Sequence, residues 1–129
     1  MKPQPMIAVA DVQAASAWYQ RVLGFESAHG GPEYEMLCVN GTPVLQLHHW
    51  DAHEHPHLGD PSVRTYGNGV LLWFEHEKIG EAFQRAVAAG AVVLDELKVN
   101  PLAHHREFWL RDPNGYTVVV ASPFGDTGA

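Results

Sequence analysis

The sequence predicts an α+β fold made of two β-α-β-β-β modules, with helices on one face of a mostly antiparallel sheet. Three observations predict it. Segments with strand and helix periodicity run in the order strand, helix, three strands, and that order occurs twice. The punctuation repeats as well: the glycines that stop the two helices, Gly24 and Gly90, lie 66 residues apart, and the turns Asn40-Gly41 and Asn114-Gly115 lie 74 apart. Such an offset is expected of an internal duplication with short insertions in the second copy. Finally, 129 residues with 46% hydrophobic and 18% charged side chains suit a single globular domain with its own core.

The elements follow in order. Met6–Val9 is a short apolar strand. Asp11 is placed as the N-cap of a helix through Leu23, with Val12, Ala15, Tyr19, Val22 and Leu23 on one face and Gly24 as its stop. Strands are expected over 25–28, 33–39 and 42–49, and Asn40-Gly41 is a strong hairpin signal between the last two. Residues 50–66 form a polar linker loop with Pro56 and Pro61. A strand over 69–74 opens the second module. A helix over 78–89 follows, with Ile79, Phe83 and Val87 on one face, and then strands over 91–99, 105–111 and 116–122. The chain thus reads as one domain, 1–129, with modules over about 4–49 and 67–123 and a Gly-rich tail, 124–129, expected to fray.

Charge and cysteine content exclude several function classes. Eight Lys+Arg against fifteen Asp+Glu give a net charge of −7, without the basic footprint that nucleic-acid binding needs. An acidic surface favours neutral or cationic small partners. The single cysteine, Cys38, excludes an intrachain disulfide framework and thiolate zinc sites, and its apolar setting reads as a buried core thiol. No apolar run approaches the length of a membrane span, and residues 1–5 lack the apolar core of a signal peptide. A cytoplasmic protein without membrane partners is expected. No Gly-rich phosphate loop, Ser-His-Asp pattern or GxSxG elbow is present.

The opening helix, Asp11-Val12…Trp18-Tyr19…Val22-Leu23-Gly24-Phe25-Glu26, resembles that of the vicinal oxygen chelate superfamily. The run His105–Tyr116, in which an aromatic strand leads into Asp112-Pro113-Asn114-Gly115, resembles its closing hairpin. The superfamily includes glyoxalase I, extradiol dioxygenases and bleomycin resistance proteins, and the resemblance covers about residues 4–123. It implies a curved mixed sheet forming a cup, with the helices on its outer face. In metal-dependent members four side chains, two per module, ring a divalent ion in that cup. Carried over residue by residue, the four positions are Gln4, Gln46, Asn68 and Val119.

That set is unfavourable to a metal. Zn²⁺, Ni²⁺ and Fe²⁺ take imidazole nitrogens or carboxylate oxygens, whereas three amides and a valine supply only neutral oxygens and an inert wall. The chain accordingly looks closest to the metal-free bleomycin-resistance branch, whose members sequester a cationic glycopeptide as dimers. No metal ligand and no cofactor are expected, and the four positions are read as ligand-binding.

Nine histidines stand in the chain, five of them within 48–57. Alternation of His53, His55 and His57 could face one metal, but a loop with Pro56 lacks the rigid support of a catalytic site and reads as solvated. His48 lies two residues after Gln46 and so shares its face. It is the one candidate for proton transfer or ligand contact, with a hydrogen-bonded rim histidine as the structural alternative. His104-His105 reads as the turn opening a strand. Trp18, Tyr19 and Phe83 are helix positions and read as core. Trp50 and Trp109 are candidates to stack on a flat or cationic ligand, although the face that Trp109 takes is open.

The expected function is a metal-free protein of the glyoxalase/bleomycin-resistance/dioxygenase type that binds or sequesters a small neutral or cationic molecule. The alternatives are a metal-dependent lyase, isomerase or dioxygenase of that superfamily, with loop histidines replacing the lost ligands, or a metal-free enzyme using His48 as base. Whether there is any turnover is left open. A symmetric homodimer is expected, because Val70, Leu72 and Val119 would leave apolar strand surface for a second chain to cover.

Overall fold

A computed structural model describes residues 1–50, 55–63 and 65–128. The chain divides into two compact units, Met1–Arg64 and Thr65–Ala129. Each unit holds one four-stranded mixed sheet and one helix.

In the first unit, β1 (Met6–Val9) leads into α1 (Val12–Leu23), followed by β2 (Glu26–Gly30), β3 (Tyr34–Val39) and β4 (Thr42–His49). The sheet order is β1-β4-β3-β2; β1 runs parallel to β4 and the other pairs are antiparallel. The Asp11 carboxylate accepts the backbone N–H of Ala14 at 2.9 Å, satisfying one of the helix's otherwise unpaired donors. Val12, Ala15, Trp18, Tyr19 and Val22 are buried, and α1 packs on β2, β3 and β4 through them. The β3–β4 turn carries positive φ at both Asn40 (49°) and Gly41 (78°), the conformation that a two-residue hairpin loop needs and that this pair tolerates.

The second unit repeats the order: β5 (Leu71–Glu75), α2 (Ile79–Ala88), β6 (Val92–Asn100), β7 (His105–Arg111) and β8 (Thr117–Ala121). Its sheet order is β5-β8-β7-β6, again with one parallel pair, β5 with β8. The strands are therefore paired as two four-stranded sheets rather than one, each with two antiparallel pairs and one parallel pair. The Asp-Pro-Asn-Gly segment earns its residues structurally. Asp112 is buried, and its carboxylate accepts the backbone N–H of Asn114 and of Tyr116, each at 2.8 Å.

Three expectations change. Val87 is 52% exposed, and Ala86 is the buried residue of that turn. At about 100° per residue, Ala86 falls roughly 20° from Ile79 around the helix and Val87 roughly 80°. Leu72 and Val119 are buried in the single chain, so of the expected exposed strand surface only Val70 remains, joined by Leu71 and Trp73. The tail through Gly128 is tied down rather than frayed: Gly125 N–H donates to the Ala103 carbonyl, Thr127 N–H to that of His104, and Arg106 pairs with Asp126 at 3.2 Å. Cys38 is a buried free thiol, as its apolar setting predicts.

Candidate functional site

Strand alternation builds a site face in each module. In β4, Leu45 and Leu47 are buried toward α1, which turns Gln46 and His48 to the opposite face. Tyr34 lies directly across the ladder from His48, and Met36 from Gln46.

The Gln46 amide is occupied at both ends. Its Nε2 donates to the backbone carbonyl of Gln4 at 2.8 Å, and its Oε1 accepts the Tyr34 hydroxyl at 2.7 Å. Burial, and secondarily the Cys38 thiol, push the Tyr34 hydroxyl above its ordinary pKa, so the phenol stays a donor. Gln4 reaches this face through its backbone, and the residue itself is exposed.

His48 is 8% exposed, and its Nδ1 lies 2.6 Å from the His49 carbonyl oxygen. A carbonyl only accepts, so Nδ1 carries the proton and Nε2 holds the lone pair. The His48 ring lies 4.3 Å from that of His55 and 6.3 Å from that of Tyr34, and His29 adds a ring 5.5 Å from Tyr34. Trp50 is half-buried, with its indole over Gly59, where a Cβ would stand 3.4 Å from the ring. His53 lies outside the described residues, so the alternation of His53, His55 and His57 is not followed further.

In the second module, β7 sends Phe108 and Leu110 to the α2 side, where Phe83 and Phe108 have ring centroids 5.2 Å apart. His105, Glu107 and Trp109 share the other face, which settles the side that Trp109 takes. Val119 is fully buried and lies across the ladder from both Trp73 and Trp109. Asn68 is exposed in a turn whose N–H donates to the Thr65 carbonyl, three residues before β5 begins. Gly67 permits this turn: its φ is 72°, and a Cβ there would lie 2.6 Å from the Tyr116 ring.

The registers identify a different counterpart for Gln4. Gln46 pairs with Met6, and Gln4 stands two residues before Met6; Val119 pairs with Trp73, and two residues before Trp73 stands Leu71. The second module therefore offers Leu71 and Val119 at the positions matching Gln4 and Gln46, and neither side chain has a lone pair. These residues do not fit a divalent ion. Among the described residues, no three His, Cys, Asp or Glu side chains are grouped as a metal site requires.

Strand β7 carries a further cluster that sequence reading passed over. Glu107 is 3% exposed, and its carboxylate takes three partners: Asn100 Nδ2 at 2.7 Å, His105 Nε2 at 2.9 Å and Trp109 Nε1. Burial alone would raise the Glu107 pKa. The hydrogen bonds from Trp109, Asn100 and His105 and the His105 charge outweigh it and hold the carboxyl below its ordinary value. Asn100 Oδ1 also accepts Leu102 N–H at 3.0 Å, so the cluster secures the β6–β7 loop. The available signal was the alternation His105, Glu107, Trp109 against apolar Phe108 and Leu110.

Residues 3–120 match the family model described as Glyoxalase/Bleomycin resistance protein/Dioxygenase superfamily. Similar solved structures include a protein of unknown function from Agrobacterium tumefaciens str. C58, at 22% identity and TM-score 0.76 over 95% of this chain and 94% of that one. TioX from Micromonospora sp. ML1 is similar at 21% identity and TM-score 0.69, over 95% of this chain and 98% of its own. A glyoxalase/bleomycin resistance protein/dioxygenase family enzyme from Burkholderia phytofirmans PsJN is similar at 23% and 0.71, over 92% and 95%. At these identities the likeness establishes the fold. No curated protein matches significantly.

Proposed function

Because this chain belongs to the glyoxalase/bleomycin resistance protein/dioxygenase superfamily, we propose that it is a metal-free member that binds or sequesters a small neutral or cationic molecule. One observation carries the reading: the Gln46 amide is bonded at both ends, to the Gln4 carbonyl and the Tyr34 hydroxyl. A cation at that amide would have to share a neutral oxygen with the phenolic proton and would find no carboxylate there to balance its charge. In the second module the matching positions, Leu71 and Val119, are aliphatic and have no lone pair to offer an ion.

The faces suit an organic guest instead. His48 presents an imidazole whose proton is committed to Nδ1, leaving Nε2 to accept a hydrogen bond. Trp73 and Trp109 offer aromatic surface, and the net charge of −7 attracts cations at long range. Binding by such groups requires no bond making and no cofactor. We assign the protein to the cytoplasm and to a homodimer, in which exposed Val70 and Leu71, at the start of edge strand β5, provide apolar surface for a second copy. No helix of the described residues is long and apolar enough to cross a membrane.

Metal analysis of untagged protein purified without a nickel column tests the reading. The expected content is far below one ion per chain; near-stoichiometric Fe, Ni, Mn or Zn would overturn it. Light scattering at micromolar concentration should give a dimer, and a monomer would remove the assembly from the proposal.

A further inference from the structure

The His105–Glu107 pair lies outside the four ring positions that the family resemblance assigns. A buried carboxylate with three donors is an expensive feature unless its partners are all in place. Two of the three are obligate donors, the Asn100 amide nitrogen and the Trp109 indole. The third, His105 Nε2, faces the same ionised group at 2.9 Å and must therefore carry its proton. That fixes the tautomer. With Nε2–H committed to Glu107, the ring holds a lone pair at Nδ1 when it is neutral, and no described residue bonds that nitrogen. A carboxylate that orients an imidazole in this way leaves the far nitrogen as a positioned acceptor.

The surroundings define what such an acceptor would meet. The Trp73 ring centroid is 5.9 Å from that of His105, and Trp73 is 46% exposed on an edge strand. Ala121 pairs with Glu75 on one side and Glu107 on the other, so a small residue separates two carboxylate-bearing positions on this face. Aromatic surface, an acceptor nitrogen and negative charge together match a cation with an N–H to donate.

We propose that this face of the second sheet binds a protonated amine carried on an apolar body, with His105 Nδ1 accepting its N–H, Glu107 positioning the imidazole and Trp73 stacking on the apolar part. The site rests on the small-molecule reading above and names its ligand class. It also divides the labour on the face. Glu107 acts through His105, while His105 and Trp73 touch the ligand.

The probes are benzylamine, benzyl alcohol and benzoate, three compounds of one shape and different charge, titrated into the full chain while indole N–H resonances are followed by NMR. Benzylamine is expected to shift the Trp73 and Trp109 signals saturably, benzyl alcohol weakly and benzoate not at all. His105→Phe, which keeps the ring and removes the acceptor, should weaken benzylamine about tenfold, and Trp73→Leu about threefold or more. Because Trp73 is half-exposed, its variant keeps the test alive if His105→Phe fails to fold. Long-range ¹H–¹⁵N spectra of His105 should show the Nε2–H tautomer, and Glu107→Gln should convert it to a mixture of tautomers. Equal binding of benzylamine and benzoate, unchanged affinity in Trp73→Leu, or an Nδ1–H tautomer in the natural protein would each overturn the site. A metal-free protein that ignores benzylamine would sink this site alone, whereas stoichiometric metal would sink the reading beneath it.

Discussion

In the first module, β4 turns Gln46 and His48 away from its helix, and Tyr34 answers them from β3; in the second, β7 turns out His105, Glu107 and Trp109, with Trp73 two strands away beyond Val119. Both faces arise from the same alternation in the same topology. The first holds neutral hydrogen-bonding groups at moderate burial. The second holds an ionised carboxylate sealed among its donors and flanked by indoles. The helices differ too. Helix α1 buries six residues behind an Asp11 cap, whereas α2 buries only Ile79 and Ala86, and its N-cap, Lys78, makes no side-chain capping bond. Duplication conserved the frame, and each copy's strand residues decided what the frame presents.

The largest contrast should appear on deleting one aromatic from each helix. Tyr19 is fully buried and Phe83 only half-buried. Tyr19→Ala should destabilise by about 3–5 kcal/mol and Phe83→Ala by roughly half as much. Urea unfolding reads both, and equal losses would erase the difference between the helices.

Next come the polar networks. Glu107→Ala strands one buried and two half-buried donors and should destabilise by about 2–4 kcal/mol, while Gln46→Ala, at a half-buried site, should remove about 1 kcal/mol. Acid should discriminate between them as well. The native Glu107 pKa lies below its ordinary value of 4.5, so the stability it contributes is full above pH 4.5 and is lost as pH falls through the lower native value. Melting temperature against pH should therefore fall more steeply below pH 4.5 in the natural protein than in Glu107→Gln. Parallel curves would mean that the carboxylate is not held ionised.

The smallest contrast lies at the caps. Asp11→Ala should destabilise by about 1 kcal/mol through loss of the bond to Ala14 N–H, and Lys78→Ala should change stability by less than about 0.5 kcal/mol. A loss at Lys78 as large as that at Asp11 would show that its side chain stabilises α2 in some other way.

What the sequence determined by itself were the features set by near neighbours. The Asp11 cap, the Asn40-Gly41 hairpin and the extent of α1 and β4 depend on side chains a few residues apart, so spacing reveals them. The resemblance likewise led to the superfamily through two local motifs, later matched over residues 3–120. Ladder register and strand face were decided by tertiary structure. The resemblance carried the third ring position onto Asn68, yet the β5–β8 pairing makes Leu71 the counterpart of Gln4. Trp109 could have turned either way until Phe108 and Leu110 packed toward α2. Alternation alone could set His105 and Trp109 beside Glu107, but nothing local foretold Asn100, which comes from a different strand; a buried charge is tolerated only where the folded backbone brings its donors together.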